Sequence, residues 1–242
     1  MTQPAPESHR TRLCAFDTLR GFTVLSMVAF HACYDAAYIY GFSLPWFTGT
    51  PLQAVWRSSI SWTFLFLAGW MVSQSRSNGR RAVKYGALAM AIWVATSLTA
   101  IDTPISFGIM YCMAASTAIT AISAPLIRRC RMPVAMLAAS LALFALTSSL
   151  PRSIYPVEGL AWLGLPGQGF VSGDYYPLLP YGFMYAAGLF AALAFIKRNP
   201  SDPPRWITKD WFPPLTAIGR HALECYVIHQ PLLLIAFEVF TS

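Results

Sequence analysis

Charge is what this chain has least of. Only 11% of its 242 residues are Asp, Glu, Lys or Arg, against about 25% in an ordinary soluble domain. A chain so short of charge cannot cover a globular surface for water, which excludes a soluble fold. Other absences narrow the function. There is no G-x-x-x-x-G-K-[ST], no G-x-G-x-x-G and no G-x-S-x-G, so nucleotide hydrolysis, dinucleotide binding and an α/β-hydrolase triad have no footing. The five cysteines, Cys14, Cys33, Cys112, Cys130 and Cys225, show no C-x-x-C spacing and indicate neither a disulfide framework nor a metal site. Internal repeats and low-complexity tracts are absent as well.

What is present is apolar sequence: 56% hydrophobic residues and a mean hydropathy of +0.49. The pattern predicts an all-α, polytopic membrane protein with about seven transmembrane helices, near 14–40, 54–74, 82–100, 107–127, 133–150, 177–197 and 214–239. Each is close to the ~20 residues that a hydrocarbon core requires. Proline and Asn-Gly punctuation agrees with these limits, at Pro45, Pro51, Asn78-Gly79, Pro104, Pro133, Pro151, Pro177, Pro203-Pro204 and Pro213-Pro214. Residues 1–12 are expected to be a disordered cytoplasmic N-terminus. Residues 13–242 are expected to be one transmembrane domain with a long outward loop at 151–176. A signal peptide fits 10–40 poorly, since its apolar region would carry Asp17, Arg20 and His31.

Basic residues fall in alternate connections: Arg10 and Arg12; Arg76, Arg80, Arg81 and Lys84; Arg128, Arg129 and Arg131; Lys197, Arg198, Arg205 and Lys209. The intervening connections hold Arg57 and Arg152. The positive-inside rule then predicts a multi-pass protein with a cytoplasmic N-terminus and, with seven spans, a C-terminus on the outside. The pI near 9.3 reflects topology, and no nucleic acid is needed to explain it.

The stretch from Leu13 to Phe42 is long and apolar enough to span a bilayer, yet contains Asp17, Arg20, His31 and Asp35. At about 100° per residue the other three lie within about 40° of His31, so one face carries all the polarity. Ionisable groups inside a membrane point to function. His31 and Asp35, four residues apart, have the spacing of a base and the carboxylate that orients it. Asp17 and Arg20, three apart, read equally as a structural ion pair or as a ligand site using Arg20. The last helix adds Arg220, Glu224, Tyr226, His229 and Gln230. Running in the same direction as the first helix, it is expected to bring Arg220 to the depth of Arg20 and His229 to that of His31, with both stripes facing one cavity. In the outward loop, Asp174, Tyr175 and Tyr176 form a candidate binding surface or lid.

Several motifs occur together in order: Phe16-Asp17-Thr18-Leu19-Arg20-Gly21-Phe22 followed by His31, Thr63-Phe64-Leu65-Phe66-Leu67-Ala68-Gly69, Ile105-Ser106-Phe107-Gly108-Ile109-Met110, Asp174-Tyr175-Tyr176-Pro177-Leu178-Leu179-Pro180, and Gly219-Arg220-His221-Ala222-Leu223-Glu224-Cys225-Tyr226-Val227-Ile228-His229-Gln230-Pro231. Together they resemble the bacterial branch of the heparan-alpha-glucosaminide N-acetyltransferase catalytic-domain family, within the integral-membrane acyltransferases. The resemblance implies transfer of an acetyl group from cytoplasmic acetyl-CoA to an amine or hydroxyl of a glycan or lipid on the outer side. No metal is expected, because His31 and Asp35 leave a coordination sphere short of ligands. The animal enzyme of that family carries a catalytic histidine in the outward connection after its first helix, whereas Gly41–Trp56 here has none. With that implication, His31, Asp35 and His229 become the catalytic candidates. Arg20, Arg220, Arg80, Arg81, Arg128 and Arg129 become candidates for donor binding, and Asp174, Tyr175, Tyr176 and Gln230 for acceptor binding. The partners are the lipid bilayer, acetyl-CoA and the acceptor, with homo-oligomerisation left open. The alternative is a small transporter or proton or ion channel that uses the buried Asp, Arg and His residues as a relay.

Overall fold

A computed structural model of the protein describes residues 12–75, 77–99, 101–199 and 203–241. The expected disordered N-terminus and the basic residues Arg10 and Arg76 lie outside them, Arg12 excepted. Among the described residues the structure is all-helical, without a strand. The helices are α1 (Cys14–Tyr34), α2 (Pro51–Val72), α3 (Asn78–Thr99), α4 (Ile109–Ile122), α5 (Ala124–Arg128), α6 (Pro133–Thr147), α7 (Leu178–Arg198), α8 (Arg205–Thr208), α9 (Pro213–Arg220) and α10 (Ala222–Thr241). Proline opens α2, α6 and α9 at their first turn, where its missing N–H and fixed φ are tolerated.

Five helical segments are long and apolar enough to cross a membrane: Cys14–Ile39, Asn78–Thr99, Pro133–Arg152, Leu178–Arg198 and Ala222–Thr241. The other two expected spans also exist as helices. However, α2 is diluted by Gln53, Arg57, Ser58, Ser59 and Ser61, and α4 has only 14 residues. Two local departures alter the expected elements. Beyond Tyr34, α1 widens into a π turn over Asp35–Ile39, closed by the Tyr40 N–H donating to the Asp35 carbonyl at 3.0 Å. The predicted last helix is interrupted at His221, which leaves helical geometry at φ −108°, ψ 26°.

The chain divides into two units, one from Phe30 to Arg198 and the other formed by residues up to Ala29 together with those from Asn199 onward. In the first unit α7 is central, packing on α2, α4 and α6, while α3 packs on α4. The α2–α7 crossing is glycine-mediated from both sides. A Cβ on Gly69 would fall into the Tyr185 carbonyl, and one on Gly188 into the Phe66 carbonyl. Such backbone-to-backbone approach is how helices associate where no hydrophobic drive separates protein from lipid. Beside the crossing, Val72, Tyr185 and Leu189 form a buried cluster covered by Ile127, and the Tyr185 hydroxyl bonds Thr117 at 2.8 Å.

In the second unit α1 crosses α9 in the same way. A Cβ on Gly21 would meet the Leu215 carbonyl, and one on Gly219 the Asp17 carbonyl and the Gly21 nitrogen. Hydroxyls bridge this crossing, Thr18 to Thr216 at 2.7 Å and Thr216 on to Asp210 at 2.7 Å.

Candidate active site

Asp35 is 0% exposed and begins the π turn, one turn beyond His31. Widened turns of this kind recur at functional sites because they re-aim side chains without ending the helix. The half-buried His31 ring lies 5.8 Å from Phe30, edge to face. Phe30 in turn contacts Phe47 at 5.4 Å and Trp56 at 5.5 Å, with Phe47 wholly buried. An aromatic wall contributed by α1, the α1–α2 connection and α2 therefore flanks the histidine. It excludes water from one side and strengthens polar interactions on the other. Nearby, the Tyr34 hydroxyl donates to Asp102 at 3.2 Å.

At the same end of this unit the 151–176 loop is tied down rather than loose. Ser172 accepts from the Ser106 N–H at 3.0 Å and donates to the Ser106 carbonyl at 2.8 Å. The Tyr176 N–H bonds the Phe107 carbonyl at 2.9 Å. Asp174 reaches the opening of α4 and accepts from the Ile109 N–H at 3.4 Å. Burial raises its carboxyl from 3.8 to about 6, against the Ile109 N–H and the Arg57 guanidinium, which favour the charged form. Burial likewise pushes the Tyr176 phenol up, with the Asp174 charge adding to the shift and a bond to Ser61 opposing it. The ring of Tyr176 packs on Tyr181 at 4.7 Å. Tyr175 has a different office: its hydroxyl donates to the Ala161 carbonyl at 2.6 Å and its ring meets Phe170 at 4.8 Å, so it holds the loop in shape.

The basic candidates collect at the opposite end of this unit. Asn78 donates to the Val72 carbonyl at 3.1 Å, which seats the start of α3, with Arg80 and Arg81, at the end of α2. Lys197 donates to the Arg131 carbonyl at 2.9 Å, joining the end of α7 to the link that follows Arg128 and Arg129. Arg80, Arg128 and Arg129 are exposed, while Arg81 bonds the Tyr85 hydroxyl at 3.1 Å.

Arg20, Arg220, His229 and Gln230 belong to the other unit. Asp17, 5% exposed, is bonded by Arg12 at 2.7 Å and by Arg20 at 3.2 Å. The Arg20 guanidinium also donates to the Gly219 carbonyl at 3.2 Å, the contact of a residue that holds a helix crossing. With the helix broken at His221, Arg220 and Glu224 do not share a continuous face, and Arg220 lies 4.0 Å from Asp210. His229 is 9% exposed. Its Nδ1 lies 2.7 Å from the Tyr226 carbonyl; a carbonyl only accepts, so Nδ1 carries the proton and Nε2 is the basic nitrogen. Gln230 follows it, half-buried.

Sequence reasoning passed over Arg57, Ser61 and Tyr181. Arg57 counted only as a stray outward charge, although the Arg57–Ser61 spacing of four residues marks one face of α2. Among the described residues no group of three or more His, Cys, Asp or Glu side chains is arranged to hold a metal ion.

The model of the family described as heparan-alpha-glucosaminide N-acetyltransferase, catalytic, matches residues 12–231. No match was found among curated proteins or among solved structures. The matched range covers most of the chain, from the first residues before α1 to Pro231 within α10, and includes every candidate site residue. The chain is an integral membrane protein that belongs to the heparan-alpha-glucosaminide N-acetyltransferase catalytic family.

Proposed function

We propose that the protein is an acetyl-CoA-dependent acetyltransferase of the inner membrane, accepting its donor at the basic, cytoplasmic end and delivering acetyl to an amine or hydroxyl of a glycan or lipid on the outer side. Family membership supports a transferase over a transporter or channel. The observation that carries the site is the wholly buried Asp35 one turn beyond a histidine set against aromatic rings. An ionisable group buried inside a membrane-spanning segment points to function.

In this reading Arg80, Arg81, Arg128 and Arg129 bind the phosphates of the donor. His31 takes the proton from the acceptor nitrogen or oxygen as that atom bonds the acetyl carbon, and the thioester C–S bond breaks to release the CoA thiolate. Asp35 holds the His31 tautomer and steadies the imidazolium. His229, whose Nε2 is the basic nitrogen, is the alternative base. Asp174 and Tyr176 contact the acceptor, and Tyr175 shapes the loop that presents them.

The test is acetyl transfer by the purified protein and by His31→Ala and Asp35→Asn. Loss of His31 removes a general base and should lower the rate by roughly 10²–10⁴-fold. Asp35→Asn should follow it, and acetyl-CoA binding should persist in both because each acts after the donor has bound. Wild-type rates in His31→Ala would transfer the role to His229.

A further inference from the structure

The segment 203–212, immediately before α9, presents aromatic surface that is more than half exposed among the described residues. Trp206, Trp211 and Phe212 are 62%, 59% and 54% exposed, while Ile207 between them is 2% exposed and pins the segment down. The rings are also fixed in place. The Trp211 Nε1–H donates to the Trp206 carbonyl at 2.9 Å, and the Lys209 ammonium sits 4.2 Å from the centroid of the Trp211 ring, a cation–π distance. The charges are sorted too. Asp210 is turned toward α9, accepting from Thr216 at 2.7 Å and lying 4.0 Å from Arg220, so Arg205 and Lys209 remain as the cations beside the exposed rings.

We infer that segment 203–212 is an interfacial anchor that lies in the headgroup layer of the bilayer and prefers anionic phospholipid. Large exposed aromatic patches mark an interaction surface. Tryptophan with a flanking lysine suits the polar–apolar boundary of a membrane, where the ring meets acyl chain and the charged tip meets phosphate. Two cations, with the segment's own described carboxylate, Asp210, engaged on α9, add charge complementarity to an anionic surface. A soluble nucleotide or an acidic protein would satisfy the cations but has no comparable use for three outward rings. Because the same segment leads into α9, whose Gly219 presses on α1, the anchor sets the depth of the crossing that contains Asp17 and Arg20.

The full chain reconstituted in vesicles tests this. Tryptophan emission is compared for wild type and the Trp206→Phe/Trp211→Phe variant, which keeps a ring at both positions. The vesicles contain phosphatidylcholine alone or mixed with phosphatidylglycerol, each brominated near the glycerol. Wild type should be quenched more than the variant, and the difference should grow when the brominated lipid is phosphatidylglycerol. That growth should fall several-fold in Arg205→Gln/Lys209→Gln. Equal lipid quenching of wild type and the aromatic variant would overturn the anchor, as would a difference quenched by aqueous acrylamide and not by lipid. A phosphatidylglycerol preference unchanged in Arg205→Gln/Lys209→Gln would overturn the anionic preference.

Discussion

Two carboxylates in the first unit are held away from water in different ways, and they give different predictions. Asp35 is sealed inside the helical turn that follows His31. Asp174 lies at the mouth of α4 with its carboxyl raised to about 6. A folded-state value above the unfolded one means that the native protein binds more protons between about 4 and 6. This contribution to stability is present at low pH and is lost as pH rises through 6. Thermal unfolding in detergent across that range should therefore show wild type losing stability as pH climbs, with Asp174→Asn flatter. Identical slopes would mean that Asp174 keeps an ordinary carboxylate value. Residue roles were unevenly legible. The four-residue spacing of His31 and Asp35 is visible in any helical reading. The approach of Arg57 to Asp174 is tertiary, joining residues more than a hundred positions apart, and no local pattern announces it. Tyr175 and Tyr176 are neighbours with the same chemistry, and only their partners, the Ala161 carbonyl against Ser61, separate a loop-former from a residue facing the cluster.

At the scale of elements, the two glycine crossings define what each unit will tolerate. Gly21 and Gly219 meet backbone to backbone in one, and Gly69 and Gly188 do so in the other. Gly21→Val and Gly188→Val should each destabilise by at least the ~1–3 kcal/mol typical of overpacking, because the obstructing atoms belong to backbone that cannot swing aside. Thermal stability in detergent is the readout, and a valine variant as stable as wild type would refute the tight crossing. Helix existence was legible, since hydropathy and the prolines at 51, 133 and 213 mark starts that the structure keeps. The break at His221 was not, for the run from Ala222 onward stays apolar and nothing in composition marks one residue leaving helical angles. The π turn at Asp35 was hidden for the same reason, because a widened turn has no composition of its own.

For the whole molecule, the separation of charge within the first unit is the strongest physical argument for orientation. Arg80, Arg81, Arg128 and Arg129 gather at one end, and Asp102 and Asp174 with the aromatic wall at the other. The positive-inside rule assigns the basic end to the cytoplasm. Cysteine labelling in intact cells should then protect a cysteine placed at Ser77 and modify one placed at Gly169; the reverse result would invert the topology.

The central claim is transfer across the membrane, and its most direct measurement uses sealed vesicles containing the purified protein. Acetyl-labelled acetyl-CoA is supplied on the basic side and an amine- or hydroxyl-bearing glycan is enclosed on the other. The account predicts label on the enclosed glycan, dependent on the protein and lost in His31→Ala. Label no greater than in protein-free vesicles, or label appearing only when donor and acceptor share a compartment, would contradict it.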